Sequence, residues 1–123
     1  MSRIRSTNTK PELLVRSLIH RMGFRFRLHR KDLPGKPDIV LPRHQKVIFV
    51  YGCFWHMHSC RYGSVVPATN TEFWQKKRTG NVTRDKRNQK QLGKVGWSVL
   101  TVWECQTKGD LSGLKRRLER FLK

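Results

Sequence analysis

Acidic residues are scarce in this sequence: 8 Asp and Glu stand against 27 Lys and Arg in 123 residues, a formal net charge of +19. Charge of that size repels itself in a compact fold, so an anionic polymer is the simplest partner. The sequence has no apolar run of about 18 residues that would span a bilayer. It also has no apolar signal segment after Met1 and no basic amphipathic helix with a clean apolar face. These absences favour nucleic acid over membrane as the partner, and we expect a cytoplasmic protein.

Cysteine is scarce as well, and its placement is informative. Three thiols cannot all pair within one chain. Cys53, His58 and Cys60 have the spacing C-x4-H-x-C, and Cys105 follows the last predicted strand. If that strand lies beside the one ending at Tyr51, all four side chains meet at one sheet edge. Because a structural zinc ion takes four Cys or His ligands, the pattern predicts a closed zinc site. The alternative is three unrelated thiols and an exposed histidine.

The hydrophobic pattern predicts one α/β domain over residues 1–123, with a short basic arm at 1–9. Capping boxes at Thr9–Glu12 and Thr69–Glu72 indicate two helix starts. The central strands are continuous apolar runs, which indicates burial on both faces. The predicted elements are a helix over 10–22, a half-buried strand over 24–28, paired strands over 38–41 and 47–51, a helix over 71–92, a strand over 97–103 and a helix over 110–123.

The candidate active site is centred on Asp38, which enters a buried strand although acids are rare here. Its carboxylate, a backbone carbonyl near Val50 and phosphate oxygens would suit Mg²⁺; the alternative is an Asp that caps a turn. Glu12 could assist through a water, or could simply close the capping box. His56, fixed in the cysteine loop, could be a general base, an exposed histidine or an alternative zinc ligand. The other histidines are expected at the surface: His20, His29 and His44.

Two further features point to DNA. Phe54 and Trp55 lie between the zinc ligands, where they could unstack a base step or form a small core over the metal. The predicted helix from 71 is rich in cations, which could be a solvated face but together favour phosphate contact. Its cations are Lys76, Lys77, Arg78, Arg84, Lys86, Arg87 and Lys90, and its apolar positions, expected to face the core, are Phe73, Trp74, Val82 and Leu92.

Several motifs, taken with their order and spacing, resemble the very-short-patch-repair DNA mismatch endonucleases over nearly the whole chain. The motifs are Pro34-Gly35-Lys36-Pro37-Asp38, Gly52-Cys53-Phe54-Trp55-His56, Pro67-Ala68-Thr69-x-Thr71-Glu72-Phe73-Trp74, Asn81-Val82-x-Arg84-Asp85, Gly96-Trp97 and Val102-Trp103-Glu104-Cys105. The resemblance implies a restriction-endonuclease-like core, a central mixed sheet flanked by helices, with a structural zinc. It also implies a bacterial, nucleoid-associated enzyme that nicks duplex DNA 5′ to the T of a T:G mismatch.

The resemblance assigns roles to several of the matching positions. Asp38 is the ligand of one or two Mg²⁺ ions, the backbone carbonyl of Val50 is another ligand, and Glu12 holds a water on the metal. His56 activates the attacking water. The zinc ligands are Cys53, His58, Cys60 and Cys105. Phe54 and Trp55, with the His56 region, form the wedge, and Trp74 would add to stacking or packing there. The candidate DNA-binding residues also include Lys77, Asn81 and Arg84.

The sequence departs from a familiar member of that family beside the active site. Val50 and Tyr51 stand where that member has Thr and His, and Met57 replaces another histidine. A backbone carbonyl survives the first change. Tyr51 could donate a proton through its hydroxyl, or it could only pack.

We expect a monomer that acts with repair-pathway proteins. The rival interpretations are a nuclease of the same fold with another DNA substrate, and a non-catalytic zinc-stabilised DNA-binding module.

Overall fold

The computed structural model describes residues 9–54, 56–60, 64, 66 and 68–123. In this part of the chain, three helices and four strands occur in the predicted order. They are α1 (Lys10–Arg21), β1 (Arg27–Leu28), β2 (Ile39–Leu41), β3 (Lys46–Tyr51), α2 (Thr71–Lys94), β4 (Ser98–Trp103) and α3 (Ser112–Leu122), with short 3-10 turns at Pro42–His44 and Glu104–Thr107. The α/β prediction is confirmed.

The strands form one mixed sheet in the order β1-β2-β3-β4. The first two pairings are antiparallel, and β3 pairs with β4 in parallel. A parallel pair needs a crossover connection, and α2 lies in the segment that joins β3 to β4. The register places Tyr51 opposite Trp103, so both strands end at the same edge. The segments carrying Cys53 and Cys105 therefore leave the sheet side by side, as the sequence predicted.

Both faces of the sheet are buried, which explains the continuous apolar runs of β2 and β3. On one face, α1 and α3 pack against Ile39, Leu41 and Ile48. On the other face, Leu92 of α2 packs with Val40, Val47, Phe49 and Tyr51. Because successive strand residues point to opposite faces, both sets must be apolar. The central mixed sheet flanked by helices is thus confirmed, whereas the restriction-endonuclease-like assignment of this core stays a prediction.

The structure corrects the predictions for the first strand and for the second capping box. The strand expected over 24–28 is short: only Arg27–Leu28 pairs with β2, both residues are exposed, and the preceding Phe24 packs against the core from outside the ladder. The second capping box is wrong, because the N-cap of α2 is Asn70, which makes no side-chain cap bond. The first N-cap is as predicted: the Thr9 hydroxyl accepts from the Glu12 N–H at 3.4 Å. The Glu12 carboxylate, however, lies elsewhere, as described below.

Among the described residues, no helix combines the length and the apolar character that crossing a membrane requires.

Candidate active site and adjoining metal centre

Asp38 lies where β2 begins, and its carboxylate is bound to the neighbouring strand. The pairing of β2 with β3 starts at Ile39 opposite Ile48, so Val50 lies beyond this ladder. The Val50 N–H donates to Asp38 Oδ2 at 2.7 Å. Burial of the carboxyl raises the pKa of Asp38 to about 7, although the bond from Val50 opposes that shift. Since burial disfavours the anion, a cation bound beside Asp38 would stabilise its charged form.

Glu12 and His29 complete a cluster around Asp38. Glu12 is only 1% exposed; its Oε2 lies 2.8 Å from His29 Nε2 and pairs with the guanidinium of Arg16. One ligand atom from each of Glu12, His29 and Asp38 lies within 4.8 Å of the others. Carboxylate oxygens are the donors that Mg²⁺ prefers, so the cluster fits a divalent cation. The prediction that His29 lies at the surface is wrong, because it is half-buried among these groups.

His56 is held from two sides. Its Nδ1 lies 2.5 Å from Asp85 Oδ2 on α2, and its ring stacks on Tyr51 with centroids 4.0 Å apart and planes 9° from parallel. Because a carboxylate only accepts hydrogen bonds, this contact places the hydrogen on Nδ1, and in a neutral ring Nε2 is then the nitrogen with the free lone pair. An imidazole oriented in this way by a carboxylate is suited to act as a general base.

Asp85 is a residue to which sequence reasoning gave no role. It lies 29 positions from His56, beyond the range of any local spacing rule. The scarcity of acids could have drawn attention to Asp85, because a single Asp in the cationic segment of α2 is unusual and suggests a specific partner.

Tyr51 is buried beneath the imidazole. It is 7% exposed, and its hydroxyl accepts a 3.4 Å bond from Gln89 Nε2. Burial raises the pKa of Tyr51 further above its usual range, which makes the phenol a weaker acid. Its ring also packs edge-on against Trp103 at 5.5 Å. Of the two roles considered for Tyr51, these contacts favour packing under His56 over proton donation.

The four predicted zinc ligands lie together beside this site. Cys53, His58, Cys60 and Cys105 each offer a ligand atom within 4.8 Å of the others, and Cys105 Sγ is 3.5 Å from His58 Nδ1. Ligands about 2.3 Å from a tetrahedral zinc are about 3.8 Å apart, so the cluster fits that ion. Burial raises the pKa of Cys53 to about 12. Packing such thiols together disfavours thiolates unless a cation joins them.

The segment predicted to form the wedge packs against a buried arginine. The guanidinium of Arg78 lies 4.3 Å from the centroid of the Phe54 ring, and Arg78 Nε donates to the Phe54 carbonyl at 2.7 Å. Trp74 packs edge-on against Phe54 with centroids 6.0 Å apart. Arg78, which the sequence grouped with the phosphate-contacting cations, is 2% exposed and supports Phe54 instead. Trp55, the other wedge residue, lies outside the described residues.

The remaining candidate DNA contacts lie along α2. Lys77 and Arg84 are exposed, as are Lys76, Lys86, Arg87 and Lys90. Arg84 donates to the Asn81 side chain at 2.5 Å. Phe73, which was expected on the buried side of this helix, is instead 58% exposed and packs edge-on against Trp74 at 5.2 Å. Phe73 was not among the aromatic side chains predicted from the sequence to contact a ligand.

Groups that suit a divalent cation and a group that suits proton transfer lie in a strongly basic protein, which makes a nuclease the class to consider. Residues 1–62 match the family model described as DNA mismatch endonuclease Vsr. The chain is 50% identical to the type II nicking enzyme V.XorIIP of Xanthomonas oryzae pv. oryzae, covering 99% of this chain and 88% of that one. It is 46% identical to the DNA mismatch endonuclease Vsr of Escherichia coli, covering 99% and 80% of the two chains. The chain therefore belongs to the Vsr family of DNA mismatch endonucleases, and the resemblance drawn from the motifs is confirmed.

Another relative bears the same kind of name. The type II nicking enzyme V.NmeAIP of Neisseria meningitidis is 45% identical, covering 100% of this chain and 86% of that one.

Proposed function

We propose that this protein is a magnesium-dependent endonuclease that nicks duplex DNA 5′ to the T of a T:G mismatch in very-short-patch repair. The observation that carries the proposal is the carboxylate cluster of Glu12 and Asp38 together with the His56–Asp85 pair. Both lie in a chain of the Vsr family. The net charge of +19 supports an anionic polymer as substrate.

Asp38 and the carbonyl of Val50 would hold Mg²⁺, one ion or two, and Glu12 would hold a water on the metal. A divalent cation bound there supplies charge that activates the scissile phosphate and a water beside it. His56 Nε2 takes the proton of the attacking water, since its Nδ1 is bonded to Asp85. Asp85 stabilises the imidazolium that results. In-line attack displaces the 3′ oxygen and leaves a 5′ phosphate.

The wedge gives a physical basis for preferring a mismatch. Unstacking a base step costs a few kcal/mol, and less where the pair is mismatched. Phe54, braced by Arg78 and Trp74, would enter the duplex together with Trp55. A rigid brace favours insertion because the protein then loses little side-chain freedom on binding.

The exposed cations of α2 would contact phosphates. Lys77 and Arg84 would position the duplex without reading its sequence, and Asn81 would orient Arg84 through the bond between them. One active site cuts one strand, so we propose that a monomer acts before repair-pathway proteins take over the nick.

Zinc, in this proposal, is structural. Four protein ligands leave no open coordination position, so Cys53, His58, Cys60 and Cys105 would hold a closed site. That site would clamp the ends of β3 and β4, from which Cys53 and Cys105 emerge. The loop bearing His56 starts at this clamp.

The test is strand-specific cleavage of end-labelled duplexes that differ only in one T:G pair. With Mg²⁺, we expect a single nick 5′ to the T, carrying a 5′ phosphate, and no cutting of the matched duplex. Equal cutting of both duplexes would identify a nuclease of another substrate class. Tight binding without any cutting would identify a non-catalytic DNA-binding module.

A further inference from the structure

We propose that His29 binds the divalent cation at Asp38 directly, together with the carboxylate of Glu12. The inference rests on the proposed function and extends it, because the family resemblance assigned Asp38 and the Val50 carbonyl to this ion directly and Glu12 only through a water. An imidazole ligand would change which cation the site prefers.

The distances fit a shared coordination shell. Two ligands at right angles on an ion, each about 2.1 Å from it, are about 3.0 Å apart. His29 Nε2 and Glu12 Oε2 are 2.8 Å apart, and a ligand atom of Asp38 lies within 4.8 Å of both residues' ligand atoms. A cation can therefore reach all three side chains after small shifts, in place of the hydrogen now shared by Glu12 and His29.

The backbone holds His29 in this position. β1 and β2 pair Leu28 with Ile39, so the next pair in register is His29 with Asp38. The His29 N–H donates to the Asp38 carbonyl at 3.2 Å, which joins the two candidate ligands across the end of the hairpin. His29 has a left-handed φ of 48°, a conformation in which histidine is enriched several-fold among non-glycine residues. The side chain is thus placed by the hairpin and does not depend on the metal for its position.

The chemistry of the donor set predicts a preference among cations. Mg²⁺ binds almost only oxygen donors, whereas first-row transition ions also accept imidazole, Mn²⁺ more weakly than Fe²⁺ or Co²⁺. Arg16, which pairs with Glu12 and lies 3.4 Å from His29 Nε2, offsets part of the negative charge. Since that offset weakens a purely electrostatic site, a nitrogen donor matters more here than it would between unpaired carboxylates.

The experiment is electron spin-echo spectroscopy of Mn²⁺ bound to the zinc-loaded full chain, prepared with natural and with ¹⁵N-labelled histidine. A nitrogen bonded directly to Mn²⁺ modulates the echo, and the modulation changes with the isotope. The key variant is His29→Asn, because Asn also tolerates the left-handed backbone. His44→Asn is the matched control, since His44 is exposed and outside the cluster.

We expect histidine modulation in the wild type and in His44→Asn, and its loss in His29→Asn. Mn²⁺ affinity, measured by free-ion titration, should fall about 10-fold or more in His29→Asn, and Mg²⁺ affinity by less. Mn²⁺ bound at Asp38 without histidine modulation would overturn the ligand assignment and leave the proposed nuclease intact. Modulation that survives in His29→Asn but disappears in His56→Gln would assign the nitrogen to His56 and also overturn it. A wild type that binds no Mn²⁺ would contradict both proposals.

Discussion

Replacing Asp85 with Asn tests the proton-transfer step most directly. The change keeps the size of the side chain but removes the charge that lies 2.5 Å from His56 Nδ1. In one orientation the new amide donates to Nδ1 and leaves Nε2 protonated, so the base is lost. In the other, the imidazolium loses its stabilising charge. General-base catalysis contributes about 10²- to 10⁴-fold, so nicking should slow by that factor, about 3–5 kcal/mol of barrier.

The assay is single-turnover nicking of a labelled T:G duplex at saturating enzyme, with duplex affinity measured separately. Asp85→Asn and His56→Gln should each show the loss, and the double variant should lose little more than either, because the two residues act as one unit. Thr83→Val, an exposed change on the same helix, is the control and should leave the rate unchanged. A rate within about 3-fold of wild type in Asp85→Asn would refute the role of the pair, since general-base catalysis is worth far more.

Three other substitutions, the last with Lys77→Met for comparison, test the remaining parts of the site. Cys105→Ser should lower zinc content and thermal stability together, because a structural zinc contributes directly to folding; full zinc retention, measured by atomic absorption, would contradict this. Asp38→Asn should abolish nicking while sparing duplex binding. It should also stabilise the metal-free protein against urea near pH 8, because a carboxyl whose pKa is raised by burial to about 7 costs stability increasingly as pH rises from its unfolded value through 7. Arg78→Met should weaken affinity for the T:G duplex, because Phe54 loses the 2.7 Å bond to its carbonyl; Lys77→Met, the exposed neighbour, should reduce mainly the salt dependence of binding. Equal salt slopes and affinities in the two variants would argue against the brace.

The order of the helices and strands could be predicted from the sequence, because each element has a local hydrophobic or capping pattern. The apolar runs around Val40 and Ile48 predicted strands buried on both faces, and both lie at the sheet centre. Predictions that depended on hydrogen-bonded detail fared worse. The N-cap of α2 moved one residue to Asn70, which has a left-handed φ of 54°. Single-residue backbone conformations of this kind are set by the loop as a whole, so no short motif determines them.

The site itself was predictable only where its groups were rare in the sequence. With only three cysteines in the sequence, few sets of zinc ligands were possible, and the predicted ligands lie together. His29 was missed because its partner Glu12 is 17 positions away, and Arg78 was misjudged because its contact with Phe54 spans 24. In a chain with 27 Lys and Arg, composition does not distinguish the cation that is buried from those that face solvent. Through-space partners of this kind follow from the packing of α2 and the β1–β2 hairpin.

The cysteine cluster should help to position the active site, whereas the active site should not help to position the cysteine cluster. β3 ends at Tyr51, which stacks under His56, and Cys53 follows two residues later at the cysteine cluster. The His56 N–H donates to the Gly52 carbonyl at 3.2 Å, so the imidazole is anchored to the segment that the cluster would clamp. Loss of zinc should therefore displace His56, whereas loss of the cation at Asp38 should leave the cysteine cluster in place. Cys105→Ser should consequently reduce nicking even at temperatures where the chain stays folded, because a base moved by about 1 Å is no longer in position to take the proton.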